Sequence, residues 1–294
     1  MNNVDRDWFD DASRRLAECL GRWRLSPDGP LQLSHACSLV QRVHCADGSP
    51  ALLKVRTSWA AVVLRKDAAV LRAYGGNGVV RFLTEDYERG ALLQERLDHT
   101  RPLSTVDDQW AAFDVLAELF ARTSSARPPE GVRRLSEVVA EMMEYVPRMP
   151  DPDHRALFDA CAGAVHDLRD EPGDQLLHQY LDQSHVLAPL PGFDREPWLV
   201  IAPAPLVGDP GYALLPALVD RWDEVVASGD VAGVVRRRFD LMVERLGLDR
   251  RRTAGWALGR VLDNCLHDLE QEFFPWPETV TVGQILAEIY KRSA

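Results

Sequence analysis

The period of the apolar positions changes part-way along the chain. Over residues 8–23 apolar side chains recur three and four apart (Trp8, Phe9, Ala12, Leu16, Cys19, Leu20, Trp23), which predicts an amphipathic helix ended by Ser26-Pro27-Asp28-Gly29. Short apolar, β-branched segments at 38–44, 51–55, 79–83 and 91–96 predict strands, the first two joined through the hairpin-like turn Ala46-Asp47-Gly48-Ser49-Pro50. Between the second and third strands, Val63, Ala69, Val70 and Ala73 give residues 60–74 a helical face, stopped by Gly75-Gly76. Beyond about residue 100 the helical period takes over, predicting helices at 107–124, 135–149, 155–169, 212–227, 231–246, 252–272 and 282–292. One strand-like pair interrupts them, around Val186-Leu187 and Trp198-Leu199-Val200-Ile201. The expected architecture is α+β: a small lobe over 1–97 with an antiparallel sheet and one main helix, then a large, mostly helical lobe over 98–294.

Composition narrows the partners. With 46% hydrophobic and 27% charged side chains, 294 residues can bury a substantial core. A formal net charge of −11 opposes nucleic acid and anionic membranes, so a small-molecule ligand is expected, cationic or a natural-product intermediate. The basic triplets Arg236-Arg237-Arg238 and Arg250-Arg251-Arg252 follow the helical period and read as solvated faces. No apolar run approaches the roughly 20 residues of a membrane span, and the opening residues are acidic where a secretory signal is apolar, so a cytoplasmic location is expected. Five scattered cysteines (Cys19, Cys37, Cys45, Cys161, Cys265) fit neither a disulfide framework nor a thiolate metal site.

Particular words then resemble a known family. REPWLVIAPAPLVGDPGYAL, from Arg195 to Leu214, and the stretch opening Leu176-Leu177-His178 are similar to aminoglycoside/hydroxyurea resistance kinases, most closely of the streptomycin 6-kinase type. Softer similarities run nearly end to end: Leu52-Leu53-Lys54-Val55, the helix of Asp67 to Arg72, GGNGVVRF from Gly75, the strand Gly90 to Leu97, and the final helices. The resemblance implies a protein-kinase-like fold of two lobes. It also implies a remnant nucleotide site in which Lys54 grips phosphates, Asp67 partners Lys54, and Glu95 lies on the strand that meets adenine.

The chain departs from the family where phosphoryl transfer needs a carboxylate to orient the hydroxyl and an Asn and an Asp to hold magnesium. Those kinases read His-Gly-Asp-Leu-His-x-x-Asn; this chain has His178-Gln179-Tyr180-Leu181-Asp182-Gln183-Ser184-His185, which places Tyr180 at the catalytic carboxylate and His185 at the metal-binding amide. Where they read Ile-Asp-Pro-Lys it has Ile201-Ala202-Pro203-Ala204, and Ala213 stands at a further aspartate position. The segment Ser34 to Val40 lacks the glycine of a loop that covers phosphates. No metal ligand and no cofactor is expected, Mg-ATP included.

The replacements His178, Tyr180, Asp182 and His185 form a candidate acid–base set, read equally as one structural histidine with packing and solvated neighbours. Asp209, Trp222 and Trp256 are the expected ligand contacts, in an acceptor-type cleft between the lobes. The leading expectation is a non-kinase enzyme of bacterial secondary metabolism. The alternatives are a binding protein without catalysis, acting on a small molecule or on a biosynthetic partner enzyme, and residual phosphotransfer to an alcohol.

Overall fold

The computed structural model describes residues 3–34, 38–56, 61–145, 154–271, 273 and 275–292. In chain order come α1 (Asn3–Arg22), β1 (Ser26–Pro27), β2 (Gln32–Ser34), β3 (Ser38–His44), β4 (Pro50–Arg56), α2 (Ala61–Tyr74), β5 (Phe82–Asp86), β6 (Ala91–Glu95) and β7 (Leu97–Pro102). Helices α3 (Gln109–Ser124), α4 (Leu135–Tyr145) and α5 (Arg155–Leu168) precede β8 (Gln175–His178), β9 (Val186–Pro189), β10 (Leu199–Val200) and β11 (Pro205–Gly208). The last helices are α6 (Leu215–Val219), α7 (Trp222–Ala227), α8 (Val231–Leu246), α9 (Arg250–Glu270) and α10 (Pro277–Arg292). Contacts divide the chain into two compact units, residues 1–101 with 187–202 and residues 102–186 with 203–294. The excursion 187–202, which the sequence pattern leaves in the helical half, packs with the first unit.

In that unit the strands form an antiparallel sheet in the order β1-β3-β4-β6-β5, with β2 also on β3. β3 and β4 alternate buried and half-buried residues, as a sheet with two differently occupied faces requires. Leu39, Val43, Ala51, Leu53 and Val55 join Ala12, Leu16 and Cys19 of α1 in one apolar core. Each fully buried leucine or valine there stabilises the fold by roughly 1.5–3 kcal/mol. Arg15 fastens the helix, donating to the carbonyls of Arg56 (2.9 Å) and Arg89 (2.8 Å). The opposite face presents Val40, Arg42, Leu52, Lys54 and Gln94 to a cavity. The strand predicted at 79–83 starts later than its apolar residues suggest. Val79 and Val80 instead pair with Val200, through Val80 N–H to Val200 O and Val200 N–H to Gly78 O, both 2.9 Å. That pairing carries β10 and β9 into a second small sheet with β7.

In the second unit, α9 is buried almost continuously from Thr253 to Leu262. The β8–β11 hairpin, with Leu176 opposite Val207 and His178 opposite Pro205, leads into the turn Pro210–Ala213 beside α9. Gly211 permits that approach, because a Cβ there would stand 2.9 Å from the backbone of Thr253. The single helix predicted at 212–227 is broken into this turn, α6 and α7. Arg221 sits in the left-handed region (φ 49°), and the Asp220 carboxylate beside it accepts a hydrogen bond from the Gln183 amide (3.0 Å). A local demand for a carboxylate and a left-handed residue overrides the apolar period. The predicted helix residues 146–149 lie outside the described residues. Cys19, Cys45, Cys161 and Cys265 are in the reduced, thiol form, and burial pushes Cys19 up to about 11; Cys37 lies outside the described residues. No described helix is long and apolar enough to cross a membrane.

Candidate functional site

The first unit contains a cavity of about 220 Å³. Its walls are Val40, Leu52, Val80, Leu97, Leu187 and Ile201, and its polar groups include Arg42, Lys54, Gln94, Glu95 and Arg96. The sheet register explains the grouping: Val40 faces Lys54 and Arg42 faces Leu52 across β3–β4, while Leu52 faces Gln94 across β4–β6. Ala202 closes the lining, with its backbone at φ 48°. Lys54 makes no hydrogen bond or ion pair among the described residues. Burial, reinforced by repulsion from Arg56, pulls its amine down to about 8.

The expected Lys54–Asp67 ion pair does not form. Asp67 Oδ2 instead accepts from Arg56 Nη2 at 2.6 Å. Arg56 shares the strand face of Lys54 one pleat further along and is the longer side chain. Burial raises the Asp67 carboxyl against the pull of Arg56 and Lys54. Glu95 lines the cavity but is already engaged, accepting from the Arg81 amide (3.0 Å) and pairing with Arg195. Arg195, almost wholly buried, also donates to the carbonyls of Gly76 (2.9 Å) and Val79 (3.1 Å) and pairs with Glu196. Of the segment Ser34 to Val40, residues 35–37 lie outside the described residues.

In the second unit the loop after β8 does assemble three of the four predicted groups. Asp182 caps a single turn over Gln183–His185: its Oδ1 accepts from the Ser184 amide (2.8 Å), the His185 amide (3.1 Å), Ser184 Oγ (2.6 Å) and His185 Nδ1 (2.9 Å). Burial alone would raise this carboxyl, but the bonds from His185 and Ser184 hold it below its ordinary value. The His178 ring is buried, packs edge-on to His185 with centroids 5.5 Å apart, and accepts from the Tyr180 amide at Nδ1 (3.2 Å). A neutral His178 therefore carries its proton on Nε2.

Tyr180 points elsewhere. It is 52% exposed and stands beside the guanidinium of Arg260, 4.9 Å from the ring centroid. With Gln179, Met142, Tyr145, Asp263, Asn264 and Glu270 it lines a second cavity of about 350 Å³, contained in this unit. Glu141 and Arg133 pair on its wall, and Asp263 accepts from Tyr212 Oη (2.6 Å). Arg260, a buried guanidinium held by Asn264 Oδ1 (2.9 Å), carries no sequence signal beyond a helical position.

The other expected ligand contacts lie apart from this cavity. Asp209 bonds Arg252 Nε (2.6 Å) and the Gly211 amide (2.9 Å), tying the turn before α6 to α9. Trp256 is fully buried in α9, where a large apolar ring completes the core. Trp222, half-buried, opens α7 and does not border either cavity.

The side chains at the positions that the resemblance assigns to metal do not fit magnesium, which requires oxygen ligands in octahedral array. Ala202 offers a methyl group, and the imidazole of His185 suits softer metals and is bonded to Asp182 through Nδ1. Across the described residues, no three His, Cys, Asp or Glu side chains group as a metal site.

A sheet-bearing unit with a lysine-lined cavity, followed by a helical unit with a capped loop after β8, defines the kinase-like class of phosphotransferase folds. A choline/ethanolamine kinase family protein from Mesorhizobium loti superposes with a TM-score of 0.59 over 95% of this chain and 93% of its own, at 15% identity. An aminoglycoside phosphotransferase from Streptomyces rimosus, solved with ADP and streptomycin, gives 0.56 over 86% and 98%, at 17% identity. Those likenesses establish the fold. The sequence is more specific: residues 22–267 match the model of the aminoglycoside/hydroxyurea antibiotic resistance kinases. The streptomycin 6-kinase of Streptomyces glaucescens is 45% identical over 286 residues, 95% of this chain and 90% of that one. Hydroxyurea phosphotransferase of Kitasatospora aureofaciens is 42% identical over 292 residues, 96% and 80%. The chain belongs to the aminoglycoside/hydroxyurea antibiotic resistance kinase family.

Proposed function

We propose that this family member binds small molecules without transferring phosphate, taking up no magnesium and retaining the cavities of both units as ligand sites. The carrying observation is the donor set: a phenol, an imidazole and a methyl group occupy Tyr180, His185 and Ala202, where the reaction needs a base and two oxygen ligands for metal. A phenol with a reference pKa of about 10 is a weak base at neutral pH. The ligand of the second unit is read as a polar small molecule of the aminoglycoside kind, supported by the exposed Tyr145 and Tyr180 and the acidic Glu270 around that cavity.

The test is ADP formation by the purified chain with Mg-ATP and streptomycin. Background turnover is expected, and reproducible, metal-dependent phosphorylation of the acceptor would overturn the reading. The triple variant Tyr180→Asp, His185→Asn, Ala202→Asp is expected to gain at least about 10²-fold, the lower range for restoring a general base.

The 2.9 Å contact of Asp182 with His185 Nδ1 favours a second reading, an acid–base site in which the carboxylate orients the imidazole and leaves Nε2 to move a proton. Hydrolysis of activated esters that disappears in His185→Gln would support it. A wild-type rate equal to that of buffer would remove it.

A further inference from the structure

Only three of the chain's basic side chains are lysines, Lys54, Lys66 and Lys291, and their surroundings differ. Lys66 in α2 and Lys291 in α10 are exposed. Lys54 is half-buried in the middle of β4, its backbone fixed from both sides by pairing opposite Val40 of β3 and Leu92 of β6. Its side chain lines the cavity of the first unit beside Val40, Leu52, Val80 and Ile201, an apolar setting for an amine.

The carboxylates around Lys54 are each taken by an arginine. Asp67 of α2 reaches the amine through its field but is bonded to Arg56, the next basic residue on the same strand face. Glu95 of β6 is bonded to Arg195 and accepts from the Arg81 amide. The remaining titratable residues of the lining are His99, Arg42 and Arg96, the two arginines answered by Asp28. Lys54 is thus left with no hydrogen bond or ion pair among the described residues. Desolvation and the Arg56 guanidinium both disfavour its ammonium form and bring the amine down to about 8. A lysine desolvated in an apolar pocket beside a second cation is a nucleophile, because the uncharged amine is then populated near neutral pH.

We propose that Lys54 is a covalent capture site, its amine condensing with a small aldehyde held in this cavity to form an imine. The uncharged nitrogen adds to the carbonyl carbon and gives a carbinolamine. The former carbonyl oxygen then leaves as water with the two amine hydrogens, and a C=N bond joins ligand to lysine. No metal, oxidant or other co-reactant is consumed. The apolar walls suit a hydrocarbon body, and Gln94 offers both a donor and an acceptor to a substituent on it. The volume of about 220 Å³ lies below the roughly 300–1,000 Å³ usual for drug-sized ligands, which favours a single ring or a short chain. The inference rests on the reading of this cavity as a ligand site that takes up no magnesium.

Benzaldehyde with cyanoborohydride tests this on the full chain. The reductant delivers hydride to the imine carbon and fixes the adduct as a secondary amine, which peptide mapping by mass spectrometry assigns to Lys54, Lys66, Lys291 or the α-amino group. Near neutral pH, Lys54 is expected to label about tenfold faster or more than Lys66 and Lys291, since an ordinary lysine, with a pKa of about 10.4, is almost wholly protonated there. That ratio is expected to fall as pH rises from about 8 to about 10, where ordinary lysines also lose their proton. Val40→Phe, directly opposite Lys54, fills the space beside the amine and should slow labelling at Lys54 while leaving Lys66 unchanged; a melting curve verifies that the variant is folded. Equal labelling of the three lysines, a ratio that does not change with pH, or Lys54 labelling untouched by Val40→Phe would overturn the proposal. Equal labelling leaves the absence of phosphate transfer standing, whereas metal-dependent phosphorylation of streptomycin would end that reading whatever the labelling shows.

Discussion

A lysine amine lowered to about 8 titrates within the range in which proteins are usually handled. Its unfolded value lies near 10.4, so between those two values the unfolded chain binds more protons than the native one. The charged amine therefore costs stability below pH 8, and this cost disappears as pH rises toward 10. The melting midpoint of the wild-type chain is expected to rise between pH 7 and 9 relative to that of Lys54→Met, which lacks the amine; equal pH slopes in both proteins would disprove the assignment. At this scale the sequence shows where a familiar word is altered, as at Tyr180, His185 and Ala202. It was silent on Arg42 and Arg260, each a single cation inside an ordinary strand or helix pattern. The Arg56–Asp67 pair escaped for a different reason: two basic residues share one strand face, and only side-chain reach decides between them.

Among the elements, long helices with an unbroken apolar stripe were legible nearly to their ends, and the exceptions mark places where tertiary demands prevail. The break at Arg221 and the delayed start of β5 both arise from partners distant in sequence, Gln183 and Val200, which no local period can reveal. The words that carried the family resemblance turn out to be structural. In Arg195-Glu196-Pro197-Trp198, Arg195 binds two carbonyls and two carboxylates, and Glu196 accepts from the Gly78 amide at 3.3 Å. In Val207-Gly208-Asp209-Pro210, Asp209 joins the turn to Arg252. Arg195→Ala leaves the half-buried Glu95 and the carbonyls of Gly76 and Val79 without their donor and is expected to destabilise the chain by about 1–3 kcal/mol, the cost of leaving such groups unsatisfied. Chemical denaturation measures this. Arg195→Lys should recover only a fraction, since an ammonium cannot reproduce the planar fork, and a loss below about 1 kcal/mol in the alanine variant would show the network to be dispensable.

For the whole molecule, the change of period near residue 100 was enough to predict a sheet-bearing part and a helical part. It was not enough to show that 187–202 returns to the first, because that return depends on partners distant in sequence: the pairing of β9 with β7, the parallel bridge at Val200 and the bonds of Arg195. The backbone at Ala202, at φ 48°, carries a cost that its side chain does not relieve. Alanine in a left-handed conformation carries steric strain, roughly 1–2 kcal/mol, that aspartate and asparagine relieve with local hydrogen bonds and glycine avoids. Ala202→Asp and Ala202→Gly are therefore each expected to raise the melting midpoint by about 1–3 °C, and a lowered midpoint in both would show that the methyl group contributes more than the bend costs. A bend that aspartate or glycine occupies more comfortably than alanine is set by the fold around residues 199–205 and not by the side chain at its apex, so the peptide path there is a property of the architecture and one substitution reads its cost directly.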